Sequence, residues 1–117
     1  LAVITASDRR NRLRNADAAL AAWTAAGADL FLGGHIHLPY CVGVGREPCR
    51  AVLLQAGTAV STRRRGGQPN SYHFVHLAAG AARAMRIEQR DYDEAIGGFV
   101  AVRTWRAVRG AAGWVLG

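Results

Sequence analysis

A chain of 117 residues, half of them hydrophobic and with a formal charge of +7, can build one small core but is short for an α/β enzyme with an active site between sheets. All 15 basic residues are arginine, and they are scattered instead of lining one helix face, so a charge that alone would suit an anionic partner gives little weight to nucleic-acid binding. Cys41 and Cys49, without C-x-x-C spacing, indicate neither a disulfide framework nor a zinc knuckle, and no apolar run approaches the about 20 residues of a bilayer span; a cytoplasmic chain with no membrane partner is expected.

The chain opens on Leu1 and runs at once into a β-type stretch, residues 1–5. That is the pattern of a chain entered midway; a non-ATG start, processing and an incomplete gene model all produce it, and incompleteness is the favoured expectation. Ser7, Asp8 and Asn11 offer capping oxygens ahead of a helical pattern over 13–26, where Leu13, Leu20 and Trp23 share a stripe with Ala16 and Ala19. Asn11 or Asn15 is the candidate N-cap, and Gly27 stands where a left-handed C-terminal cap belongs. Residues 30–32, Leu-Phe-Leu, read as a short strand buried on both faces, which with strand 1–5 and the helix makes a right-handed β-α-β unit.

Beyond His37, residues 40–44 and 50–56 read as strands around a Gly-Arg-Glu-Pro-Cys turn, an antiparallel pair that brings Cys41 and Cys49 near enough for a disulfide in an oxidising compartment. Residues 57–69 are loop. A second hairpin is expected from strands 71–78 and 82–90, turned at Gly80, with Arg83, Arg86 and Arg90 at solvated positions. His73 and His76 fall on opposite faces of the first of these strands and are read as hydrogen-bonded side chains rather than ligands. The acidic run 91–94 is read as a solvated turn, because consecutive extended residues alternate faces and cannot converge on one ion. A last strand is expected over 99–105, and the glycine-rich tail 109–117 carries no assignment. No repeat, linker or second hydrophobic centre divides the chain, so residues 1–117 form one unit.

Chemistry concentrates at one junction, Leu30-Phe31-Leu32-Gly33-Gly34-His35-Ile36-His37. Gly33 and Gly34 end the strand and admit close backbone approach, placing the histidines at a strand carboxyl end, where open α/β sheets bind ligands. In an extended segment the two-residue spacing points both imidazoles the same way, and imidazole pairs suit Zn, Mn, Fe or Ni. The order helix, Gly-Ala-Asp, apolar strand, Gly-His-x-His, followed by Gln55-Ala56-Gly57-Thr58 and Gly66-Gly67-Gln68-Pro69-Asn70-Ser71-Tyr72, resembles the last metal-binding motif and the following strand, loop and strand of the calcineurin-like metallophosphoesterases. The resemblance covers about residues 13–90.

What it implies is the C-terminal part of a four-layer α/β/β/α sandwich: an α/β fold of mixed sheet with mostly antiparallel C-terminal strands. In the complete family two divalent metal ions share a bridging hydroxide that attacks phosphorus, so the implied function is hydrolysis of phosphomonoesters or phosphodiesters. Carried over, the motif assigns His35 to one metal and His37 to the other, and Arg63 and Asn70 to the substrate rim. The four earlier motifs, reading D-x-H, G-D, G-N-H-D/E and a further histidine, are absent: no histidine precedes His35, and Asp8, Asp17 and Asp29 lie in other settings. The isolated chain is therefore expected to bind metal weakly or not at all and to be inactive, with a non-catalytic interaction or regulatory module as the alternative. Its phosphoester substrate would need an N-terminal half, and self-association through apolar surface is expected where sheet faces lack their cover.

Overall fold

The computed structural model describes residues 12–80 and 83–117. The expected strand 1–5 and the Asn11 cap lie outside the described residues. Within them the chain is mixed α/β with β predominating: helix α1 (Ala16–Ala25), then strands β1 (Leu30–Gly33), β2 (Tyr40–Val44), β3 (Ala51–Gln55), β4 (Ser71–Leu77), β5 (Ala84–Asp93), β6 (Gly98–Gly110) and β7 (Gly113–Leu116). They form a three-stranded sheet ordered β1-β3-β2 and a four-stranded sheet ordered β4-β5-β6-β7.

The first sheet is mixed: β1 runs parallel to β3 with Leu30 opposite Val52, and β2 is antiparallel to β3 with Cys41 opposite Leu54. The second is an antiparallel meander, with a register shift at Gln89/Arg90. Both hairpins expected from turn composition, β2–β3 and β4–β5, are present. Strand alternation then decides the core. Val52 and Leu54 on β3 share one buried cluster with Cys41, Cys49, Met85, Ile87, Ala107 and Trp114, which joins the inner faces of the two sheets. Central β3 is buried along its whole length, and Leu53 turns the other way, into a groove it lines with Leu20 and Ala21 of α1.

Several expectations need correction. Helix α1 begins at Ala16, so Leu13 lies ahead of it and is exposed; Asn15 takes the N-cap place in a left-handed conformation and makes no side-chain cap bond. Ala16 is the buried residue of the helix and Ala19 and Leu20 are half-buried, while Trp23 is 47% exposed, its ring 5.8 Å from that of Phe31. Gly27, at φ 93°, does take the left-handed position past the helix end. Strand 30–32 is not covered on both faces, since Leu32 is 71% exposed; among the described residues β1 lies at the edge of its sheet. The acidic run splits, with Asp91 and Asp93 inside β5 and the turn starting at Glu94, where Asp93 Oδ1 accepts from Ala95 N and Ile96 N. β6 extends to Gly110, and the unassigned tail supplies β7. A helix layer outside the second sheet is not found among the described residues.

The two sheets are stitched by β7. Cys49 and Trp114 exchange backbone hydrogen bonds, 2.7 Å each way. Asp29, just before β1, accepts hydrogen bonds at Oδ1 from Trp114 Nε1 (3.0 Å) and from Arg109, with Arg83 at 3.7 Å from Oδ2. Cys41 and Cys49 are both free thiols in the core, and burial pushes the Cys41 thiol up to about 11, which leaves it un-ionised and unreactive at neutral pH. No helix among the described residues is long and apolar enough to cross a membrane.

On β4 the two downstream histidines part company, as alternation requires. His76 faces outward, its Nε2 2.9 Å from an Arg86 nitrogen and 3.6 Å from Glu88, within a ladder in which Arg86 and Arg90 both bond the Glu88 carboxylate. The Arg90 hydrogen bond is the first cause that holds the Glu88 carboxyl below its usual range. His73 faces inward beside Trp105 at 6.0 Å and, against expectation, neither ring nitrogen has a hydrogen-bond partner. Desolvation lowers its pKa, partly opposed by Asp91. The unfolded chain therefore takes up this proton first as pH falls, so the stability His73 confers is complete above about pH 6.5 and is lost below it. The wild-type melting temperature should fall between pH 7 and pH 5 more steeply than that of His73→Phe, measured by circular dichroism; parallel curves would show that His73 does not carry the effect.

Candidate functional site

Because β1 and β3 are parallel, their carboxyl ends emerge at one edge, and the segments that follow them meet there. The turn 34–39 follows β1, and the loop 56–70 follows β3 and leads into β4, where Ser71 N donates to Thr58 O at 2.8 Å. This is the edge at which α/β sheets present ligands.

His35 and His37 both lie in the turn, with φ of 85° and 59°. The extended geometry expected from their spacing is therefore not the one adopted, and the alternation argument for their direction falls with it. Positive φ in a non-glycine residue carries a cost of order 1–3 kcal/mol and persists only where its surroundings impose it. Two such residues in three positions, Asn15 being the third non-glycine among the described residues, mark the turn as built rather than relaxed.

Three contacts impose it. Gln55 Nε2 donates to the Gly34 carbonyl. Arg65 Nη1 donates to the Ile36 carbonyl at 3.3 Å. His37 Nδ1 lies 2.6 Å from the Arg63 carbonyl oxygen, and since a carbonyl only accepts, Nδ1 carries the proton. In the neutral ring, Nε2 then holds the lone pair. A proton given to a backbone carbonyl by one nitrogen, with the other left to bind, is the arrangement by which metal-ligating histidines are oriented.

The loop is itself braced. Asn70 Nδ2 donates to Thr58 O (3.2 Å) and Ser61 O (2.9 Å), Thr58 Oγ1 accepts from Ser61 N (3.1 Å), and Ser61 Oγ accepts from Arg63 N (3.0 Å). Asn70, placed by the resemblance at the substrate rim, uses its Nδ2 to brace the loop that carries Arg63. Arg63 is exposed on that loop. His35 is exposed, and His37 is half-buried.

As a metal site the assembly is partial. Among the described residues no three His, Cys, Asp or Glu side chains gather to hold an ion. His35 and His37 alone do not make a donor set. The sequence reading missed Gln55 and Arg65, although a lone glutamine closing the run Ala51-Val52-Leu53-Leu54 is a visible signal that a polar group is needed at that strand end. The chain matches no family model, and neither the curated proteins nor the solved structures searched contain a match to it.

Proposed function

We propose that this chain is the C-terminal portion of a metal-dependent phosphoesterase of four-layer α/β/β/α design, in which His35 and His37 each contribute a metal ligand. The observation that supports this most is the turn after β1, where two histidines are held at positive φ at the carboxyl edge of a parallel strand pair, with the His37 Nδ1 proton committed to Arg63 O. Divalent metal, when bound, supplies Lewis-acid stabilisation to a phosphoryl group. The chain's own residues fix the His37 ring, hold the turn through Gln55 and Arg65, and offer the exposed Arg63 guanidinium to a phosphate oxygen, while Asn70 keeps the Arg63 loop in shape. A bidentate arginine is well suited to phosphate. Among the described residues no three His, Cys, Asp or Glu side chains gather to hold an ion, and in this reading other sequence supplies the bridging carboxylate and the acid that protonates a leaving group.

Two measurements test the proposal. In the purified chain, Mn2+ should broaden the ring resonances of His35 and His37 together and ahead of those of His73 and His76. Equal broadening of all four, or none at the first two, would remove the metal assignment. Hydrolysis of p-nitrophenyl phosphate by the chain alone should not exceed that of a His35→Ala, His37→Ala double variant, because two histidines leave hydroxide activation and leaving-group protonation without their groups. Mn2+-dependent turnover abolished in the double variant would show that this chain is sufficient.

A further inference from the structure

We infer that Gln55 is a positioning residue for the histidine turn, an assignment that rests on reading that turn as the metal-ligand segment. Gln55 closes a strand whose other four residues are apolar and buried, and it is itself 3% exposed. A buried amide is retained there only if it is bonded, and its Nε2 reaches the carbonyl of Gly34, the residue directly before His35.

Its register makes it the hub of the edge: Gln55 lies opposite Gly33 in the parallel pair and opposite Tyr40 in the antiparallel pair, so it stands between the strand that enters the turn and the strand that leaves it. The backbone repeats the tie one residue on, where Ala56 N donates to Gly33 O at 2.8 Å. Gly33 is fitted to the same side chain. A Cβ built on Gly33 would stand 2.6 Å from Gln55 Oε1, so the glycine serves here to admit the glutamine amide across the end of β1, a close-approach role. The amide fixes where the Gly34 carbonyl points, and with it the plane from which His35 departs at positive φ. His37 is held separately, by Arg63 O. Gln55 thus acts through the backbone and touches neither imidazole.

The test is Gln55→Met, close in size and without the donor, followed first in the metal-free protein. Backbone amide and Cα shifts of His35 and His37 should move away from their left-handed values, while the shifts of β4 and β5 and the melting cooperativity remain. The His37 ring, monitored by long-range nitrogen-proton correlation, should lose its fixed Nδ1–H tautomer. Gly33→Ala is the second variant: it keeps the glutamine but crowds its Oε1, and it should reproduce the same shifts, which covers the case in which Gln55→Met fails to fold. In a Mn2+ titration the concentration that half-broadens the two rings should rise by about tenfold or more. Unchanged His35 and His37 shifts in a folded Gln55→Met protein overturn the positioning role. A wild-type turn that collapses in both variants yet never responds to Mn2+ upholds that role while overturning the metal reading.

Discussion

Replacing Trp114 by alanine is expected to destabilise the protein by about 3–5 kcal/mol, the range for emptying a buried aromatic site. For a chain of this size that corresponds to a fall in melting temperature of about 12–20 °C. The side chain is 3% exposed and lies in the cluster where Cys41, Val52 and Leu54 from the first sheet and Cys49 from the β2–β3 connection meet Met85, Ile87 and Ala107 from the second. It therefore fills the seam between layers, and neither sheet can close on the void without sliding. Trp114→Phe separates the contributions: it keeps most of the apolar volume but loses the Nε1 bond to Asp29, and should cost clearly less. Urea or thermal unfolding of both variants checks the claim. An alanine variant that melts within a few degrees of wild type would mean that the sheets are not held through this residue.

Asp29→Ala should cost about 2–3 kcal/mol, because hydrogen bonds to a charged acceptor are worth about 1.5–3 kcal/mol and their loss leaves donors behind. The Asp29 side chain is 29% exposed and that of Arg109 33%, so the pair is partly shielded from water. The comparison within the same chain is Arg12 with Asp17, whose aspartate is 90% exposed. A pair of that kind contributes about 0–1 kcal/mol, and Asp17→Ala should be close to silent. Asp29→Asn retains an acceptor for Trp114 but not the charge facing Arg109 and Arg83, so it should fall between wild type and alanine. Melting curves in low and high salt complete the test. If wild type and Asp29→Ala differ only at low salt, the network is a surface ion pair and the argument from shielding fails.

How much of this was legible in the sequence depends on what each residue answers to. The β2–β3 and β4–β5 hairpins follow from local chemistry, turn residues between β-type runs, and appear where that chemistry puts them. Burial does not follow from local chemistry. Leu32 and Leu54 sit in similar apolar runs, yet one is 71% and the other 3% exposed: among the described residues one strand is an edge and the other central, and periodicity carries no information about that difference. β7 was hidden for a related reason. Trp114, Val115 and Leu116, between Gly113 and Gly117, are too short a run to show a period, and pairing with β6 and the Cys49 bridge make them a strand.

At the candidate site, His35 and His37 were visible as residue types at a strand end, but their left-handed backbone was not. Histidine visits positive φ more often than most side chains but still uncommonly, and here the Gln55, Arg65 and Arg63 contacts hold it there from distant sequence. Asn70 shows the converse: the resemblance of its loop pointed to a substrate rim, and what the fold adds is the bracing of that loop through Thr58 and Ser61.

The Asp29 latch reaches 80 residues along the chain to Arg109 and 85 to Trp114. Contacts that close such long loops form only after nearer ones have offset the entropy of bringing the ends together. The β4–β5–β6–β7 meander is built from neighbours in sequence and has no such delay. The latch therefore belongs after the barrier to folding, and a substitution at Asp29 or Trp114 should leave the refolding rate nearly unchanged while accelerating unfolding, by about a hundredfold or more for a loss of 3 kcal/mol. What the latch governs, on that account, is how long the folded chain survives rather than how fast it is reached.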